Sequence, residues 1–348
     1  MEIRKLNMLR GLAALIVVVS HFSNSTMIFN GVLGKGAGQL GVMLFFILSG
    51  FLMALLYADR KFSFESVNQY FISRFARVMP LFLLVVIMSY VLYSLDLGNI
   101  LYKVDSIESF LSHILMLSGE SVLWTIPTEI QFYVIFVGLW ALFQSSYMRF
   151  AITVASLFVI LFFLGFSRPI GEVFGLKVDV SILQSLPYFL SGTLMGLLYR
   201  HIDRFKSHQH ALYMAVFLLI VLMYPKIFSS VTGSEHGLWQ DLGVWLIMSL
   251  AFFAITFLIP DDNSLLSNRV GDFLGKISYS LYLLHMPVLW QLERMQFEST
   301  FLFFALFVLG SVVVAYLSYL IIENPCRSAI KSMMFRIGNA RGQQVLQS

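Results

Sequence analysis

A soluble domain carries roughly a quarter of its residues as Asp, Glu, Lys or Arg, whereas only 12% of these 348 residues are charged. That is too little to cover a water-facing surface. A mean hydropathy of +0.82, with 58% of residues hydrophobic, assigns the chain to a bilayer instead. Cysteine is nearly absent. Cys326 stands alone, which excludes an internal disulfide framework and a cysteine-based metal cluster. No basic face interleaved with aromatics is present: the 34 Phe residues sit inside apolar runs, so nucleic acid is not an expected partner. Internal repeats and low-complexity tracts are lacking too. The net charge of +4 says little about partners, because the charges sort by membrane side.

What is present is a series of ten apolar runs, near 9–24, 40–58, 79–95, 124–143, 150–166, 182–199, 211–228, 238–259, 277–292 and 300–322. They predict an all-α, polytopic membrane helix bundle of about ten transmembrane spans. An even number places both termini on one side. With the N- and C-termini cytoplasmic, 17 of the 23 Lys and Arg lie inside, leaving Lys35, Lys103, Arg168, Lys177, Lys226 and Arg294 outside. This is the positive-inside pattern. A transmembrane domain over 1–325 and a basic cytoplasmic tail over 326–348 follow, with no soluble domain appended. The start, with Ser23-Asn24-Ser25 after an apolar centre, also resembles a secretory leader. Nine more runs follow it, so the first helix is expected to stay. The turn Gly34–Gly38 lacks the strand and helix context of a phosphate loop.

Arg10 and His21 stand eleven positions apart in the first run. At about 100° per residue, eleven steps are only about 20° more than three turns, so both side chains share one face, about 16 Å apart along the axis. Ionisable groups at such depth face a protein interior or a wet cavity and mark function. Arg74 and Arg77, at i and i+3, suit a polyanion with adjacent phosphates, or else form a plain positive-inside flank. Phe62, Phe64, Val67, Phe71 and Phe75 upstream read as an amphipathic surface helix. In Trp124-Thr125-Ile126-Pro127-Thr128-Glu129, Thr125 is a candidate N-cap and Pro127 fits a first helical turn. Glu129 is then either functional or an ordinary helix-start acid, and Trp124 either functional or an interfacial belt residue. Ser278, Tyr282 and His285 give the ninth run a polar face, with Pro287 to kink it. A packed core histidine is the alternative for His285. His113, His201, His208, His210 and His236 read as solvated, and the 201–210 trio lacks metal-site spacing.

Together these motifs resemble acyltransferase family 3, the membrane-bound O-acyltransferases of bacterial surface polysaccharides. The family's Arg-x10-His is matched by Arg10 and His21, and its Gly-Val-x-Leu-Phe-Phe-x-Leu-Ser-Gly-Phe-Leu by Gly41 to Leu52. Its Arg-x-x-Arg is Arg74 and Arg77, its Trp-Ser/Thr segment with a downstream Glu is Trp124, Thr125 and Glu129, its Ser-Tyr-Ser-Leu-Tyr-Leu-x-His-x-Pro is Ser278 to Pro287, and its closing Glu-Asn/Lys-Pro is Glu323-Asn324-Pro325. Pro127 departs from the family pattern.

The resemblance implies transfer of an acyl group, acetyl in most relatives, from cytoplasmic acetyl-CoA to a sugar hydroxyl. The acceptor is a surface polysaccharide such as lipopolysaccharide O-antigen, capsule or exopolysaccharide, or a lipid-linked saccharide, and the site is the bacterial inner (plasma) membrane. Arg74 and Arg77 would hold the coenzyme's phosphates, and Arg10 would contact the same ligand or, as a catalytic residue, its thioester end. His21 would act as base or acyl carrier. Glu129 would orient His21 or the sugar, while His285 and Tyr282 would bond the tetrahedral oxyanion and Trp124 would contact the sugar. No metal is expected. The alternatives are a proton-coupled or lipid-linked sugar transporter, to which intramembrane His and Glu residues also suit a proton relay, and a polysaccharide polymerase, for which a larger outer loop than 96–123 is expected.

Overall fold

The computed structural model describes residues 3–97, 100–199, 201, 210–330, 332 and 333. Arg200, Arg204, Lys206, His208, the side chain of His210 and most of the expected basic tail lie outside the described residues.

Twelve α-helices dominate the described residues. They are α1 (Arg4–Thr26), α2 (Gly38–Tyr57), α3 (Phe64–Ser94), α4 (Ile107–Ile114), α5 (Thr125–Ser145), α6 (Tyr147–Phe163), α7 (Ile182–Leu198), α8 (His210–Leu222), α9 (Pro225–Thr232), α10 (Leu242–Phe253), α11 (Arg269–Glu293) and α12 (Thr300–Ser318). π-helical turns at Ala254–Leu258 and Tyr319–Glu323 prolong α10 and α12. Five helices are long and apolar enough to cross a membrane, or six if α8 and α9, bent by 94°, form one span. α6, α7 and α10 with its extension are apolar but shorter.

Each of the ten runs falls on a helix, with two corrections. The run 211–228 is not straight, because Pro225 opens α9 and supplies no N–H to continue α8. The expected surface helix before Arg74 is not separate: Ser63 accepts a hydrogen bond from the Ser66 N–H, and α3 then runs unbroken through Pro80. The segment 96–123, expected on the outer side, holds α4. A hairpin that hydropathy did not foresee, Ile170–Val173 (β1) with Leu176–Asp179 (β2), follows α6. Phe174 and Gly175, at φ 52° and 76°, form its tight turn. The Asp179 N–H donates to the Leu117 carbonyl at 2.8 Å, tying the hairpin to the α4 segment.

At the centre α2 packs between α1 and α7, and α11 packs against α1 and α12. Small residues let the backbones close up. A Cβ on Gly192 would stand 1.9 Å from the Ile47 carbonyl oxygen, and one on Gly275 would stand 2.7 Å from Asn7. Ile47 meets Gly192 and Phe51 meets Gly196, so α2 and α7 run parallel. Asn7 meets Gly275 and His21 meets His285, so α1 and α11 are parallel as well. Lys5, counted in the sequence as a flanking charge, is buried. It donates to the carbonyls of Thr256 and Ile259, each at 2.7 Å, and pairs with Asp261 at 2.9 Å, capping the frayed end of the α10 extension.

Candidate functional site

The parallel contact of α1 and α11 brings His21 onto His285. The His21 Nδ1 lies 2.8 Å from the His285 Nε2, and the rings stack at 5.1 Å between centroids. The second nitrogen of His285, Nδ1, lies 2.8 Å from the Tyr282 carbonyl oxygen and 3.2 Å from that of Leu281. A carbonyl only accepts, so His285 carries its proton on Nδ1 and its Nε2 holds a lone pair. With both rings neutral, His21 must then donate from Nδ1, which leaves its own Nε2 as the open lone pair. The tautomer of the outer ring is fixed by the inner one, which is itself fixed by backbone.

His285 therefore has no N–H to offer an oxyanion. Neither does Tyr282, whose hydroxyl donates to the Val122 carbonyl at 3.0 Å. The structure thus places both residues near His21 but commits their donors elsewhere.

Two neighbouring cavities share wall residues beside this pair. The first, of about 550 Å³, is bordered by His21 together with Ser20, Asn24, Gln39, Ser121 and Trp124. Its walls are polar and carry no Asp, Glu, Lys or Arg. The second, of about 650 Å³, is bordered by Arg10, Arg74 and Arg77 with Glu129 as its single acid. The eleven-residue spacing on α1 thus sends one side chain to each cavity. Val42 and Tyr282 border both.

In the arginine cavity Glu129 accepts hydrogen bonds from the Ser49 hydroxyl at 2.9 Å and the Tyr133 hydroxyl at 2.7 Å. It sits with the arginines and not with His21, so it does not orient the imidazole as expected. None of the four ion pairs among the described residues involves Arg10, Arg74 or Arg77. The Arg74 Nε is buried without a hydrogen-bond partner, and its guanidinium carbon lies 5.6 Å from the centre of the Tyr57 ring. Three cations around one acid, with an unfilled N–H among them, make a site for a polyanion.

Trp124 forms the far wall of the histidine cavity. The Arg168 guanidinium lies over its ring at 4.4 Å, and Arg168 is itself held by Asp179, with Nε donating to Oδ1 at 2.9 Å and Nη2 to Oδ2. Thr125 is not an N-cap. A 3₁₀ turn, Ser121–Trp124, runs straight into α5, and the Thr125 hydroxyl donates back to the Val122 carbonyl at 3.2 Å.

Sequence reasoning missed several members. Tyr133 carried a signal, one turn beyond Glu129 on the same helix. Glu323, buried and bonded by the Ser280 hydroxyl at 3.0 Å, was visible only as a motif letter. Arg168 and Asp179 carried none, since the hairpin that joins them was not foreseen.

Two histidines expected to be solvated are structural. The His113 Nδ1 donates to the Ser109 carbonyl at 2.7 Å, and its Nε2 accepts from the Glu120 N–H at 2.9 Å. Burial holds its pKa below the usual imidazole value. His236 likewise donates from Nε2 to the Met223 carbonyl at 2.9 Å and accepts from the Leu238 N–H at 3.3 Å. Among the described residues no three His, Cys, Asp or Glu are grouped to hold a metal ion.

Comparison with known proteins bears on this geometry. The profile of the acyltransferase domain (acyltransferase family 3) matches residues 3–320. Provisionally named O-acetyltransferases of Staphylococcus aureus, among them those of strains COL, MSSA476 and MRSA252, are each 22% identical over 370 aligned positions, covering 94% of this chain. The chain spans 58% of the length of these relatives. No solved structure matches it significantly.

Proposed function

We propose, from the premise that this chain belongs to acyltransferase family 3, that it is a membrane O-acetyltransferase drawing on acetyl-CoA. The acceptor is a hydroxyl of a surface polysaccharide, such as lipopolysaccharide O-antigen, capsule or exopolysaccharide, or of its lipid-linked precursor. The observation that carries this reading is the pair of neighbouring cavities that share Val42 and Tyr282 as wall residues, one cationic and one bordered by His21. A coenzyme with several phosphates suits the first, and an uncharged, hydroxyl-rich ring lying against Trp124 suits the second.

Arg10, Arg74 and Arg77 hold the phosphates, where planar guanidinium groups bond in a bidentate way. His21 accepts the proton of the acceptor hydroxyl on Nε2 as the hydroxyl oxygen bonds to the acyl carbon. The carbon–sulfur bond breaks, and His21 returns the proton to the leaving thiolate, giving free coenzyme and an ester. His285 acts through His21, as the acceptor for the Nδ1 proton, in the way a carboxylate does in a hydrolase triad.

The topology belongs to the same proposal: ten spans in a bacterial plasma membrane, residues 1–325 as one catalytic unit, 326–348 as a basic tail, and both ends cytoplasmic. The parallel pairs support it. α1 and α11 carry the first and ninth runs, and α2 and α7 the second and sixth, so each pair must point the same way. Cytoplasmic ends put the arginine cavity on the side where the coenzyme is made.

Membranes supplied with acetyl-labelled acetyl-CoA test the function. Label is expected on polysaccharide, and its appearance should depend on His21. Polysaccharide left unlabelled by wild-type membranes that contain the acceptor overturns the reading.

A further inference from the structure

We propose that the neck between the two cavities sets the length of acyl chain transferred, with Val42 as the limiting side chain. This rests on the acyl-transfer reading above.

The arginines border only one cavity and His21 only the other, whereas Val42 and Tyr282 border both. In the proposed mechanism a donor anchored by its phosphates and reacting at His21 passes its acyl end between the cavities, where Val42 and Tyr282 border both. The wall formed by Tyr282 is fixed. Its hydroxyl is bonded to the Val122 carbonyl at 3.0 Å, and its ring meets Phe45 edge-on at 5.8 Å. The backbone at Val42 cannot retreat either. Gly41, the neighbour of Val42, lies so close to α1 that a Cβ there would stand 2.4 Å from the Ala13 carbonyl oxygen. With both backbones pinned, the branched methyls of Val42, a 4% exposed residue, are what a chain longer than acetyl encounters first.

A methylene is worth roughly 10–200-fold in discrimination by an apolar pocket. Transfer bonds the acyl carbon to the acceptor oxygen as its bond to sulfur breaks, so the same acyl group occupies the neck before and after the step.

The test compares acetyl-, propionyl- and butyryl-CoA as donors for the detergent-purified full chain and for Val42→Ala, Val42→Thr and Val42→Ile. Wild type is expected to prefer acetyl. Val42→Ala should raise the propionyl-to-acetyl ratio of kcat/KM by about tenfold or more. Val42→Thr, which keeps the shape and changes the polarity, should hold that ratio within about twofold of wild type. Val42→Ile should lose propionyl transfer more than acetyl transfer while binding of coenzyme A itself persists. An unaltered ratio in Val42→Ala that still transfers acetyl overturns the proposal, as does a shift in Val42→Thr as large as that in Val42→Ala. Should Val42→Ala fail to accumulate, equal loss of both donors in Val42→Ile overturns it. Failure of wild type to use any of the three thioesters would instead refute acyl transfer itself.

Discussion

In the proposed mechanism His21 can serve as a base only as one tautomer, and His285 selects it. Removing His285 leaves the Nδ1 proton of His21 without its acceptor and lets the lone pair move to the wrong nitrogen. His21→Ala should lower acetyl transfer by about 10²–10⁴-fold, the usual share of a general base, with little loss of protein. His285→Ala should cost less. His285→Gln, which offers an amide oxygen near the Nε2 position, should recover part of kcat without changing KM for the donor. Equal activity of the Ala and Gln variants, measured as kcat with saturating acetyl-CoA, would refute the tautomer role. In the same proposal the arginines hold the donor at a distance from this chemistry. Arg74→Ala or Arg77→Ala should weaken coenzyme A binding while leaving the chain inserted, and Lys at either site should restore it only in part, because the fork is lost. Titration of purified protein with coenzyme A decides this. Undiminished binding by the double Ala variant would return both residues to a topological flank.

Among the elements, the α4 segment carries its own pH sensitivity. His113 bridges the Ser109 carbonyl and the Glu120 N–H only when neutral, since a proton on Nε2 would face an N–H donor. Its folded pKa lies below the reference value of 6.5 because burial disfavours the charged ring. The unfolded segment therefore binds protons first as pH falls. The contribution of His113 is complete above pH 6.5 and is lost as pH drops below it toward the folded pKa. Limited proteolysis between residues 106 and 121 should accelerate from pH 7 to pH 5 in wild type. In His113→Gln, which cannot titrate, the rate should be the same at both values. The segment matters to function because the chain leads from Glu120 within four residues to Trp124, the wall of the histidine cavity.

For the molecule as a whole, the proposed topology makes a sidedness prediction. Single cysteines placed at Arg60 and Arg149 in a Cys326→Ser background should be shielded from a membrane-impermeant maleimide in intact cells. Cysteines at Lys103 and Thr232 should be labelled. All four positions are exposed at the ends of helices or in connecting segments. A reversed pattern at any one of them would break the ten-span order, and with it the assignment of the arginine cavity to the cytoplasmic side.

The sequence alone determined that the chain is a helical membrane protein, where its main apolar helices lie, and which ionisable groups lie among them; it did not show that α3 starts at Phe64 or that α4 exists. Hydropathy and the 3.6-residue period are local properties, and the placement of Arg10 and His21 on one face follows from the turn of a single helix. It also located Arg74, Arg77, Glu129 and His285 as motif members. Only the tertiary structure decided how they divide. His21 and His285 are 264 positions apart, and their contact depends on α1 and α11 running parallel with Gly275 against Asn7, which no local pattern encodes. Glu129 went to the arginines, not to His21, held there by Ser49 on α2 and Tyr133 on α5. Arg168 reached Trp124 because a hairpin turned it back. The bend between α8 and α9 was hidden because Pro225 interrupts a run whose hydropathy does not change. Each of these outcomes is a matter of which surfaces pack, and packing partners are chosen by shape over the whole chain, not by the residues on either side.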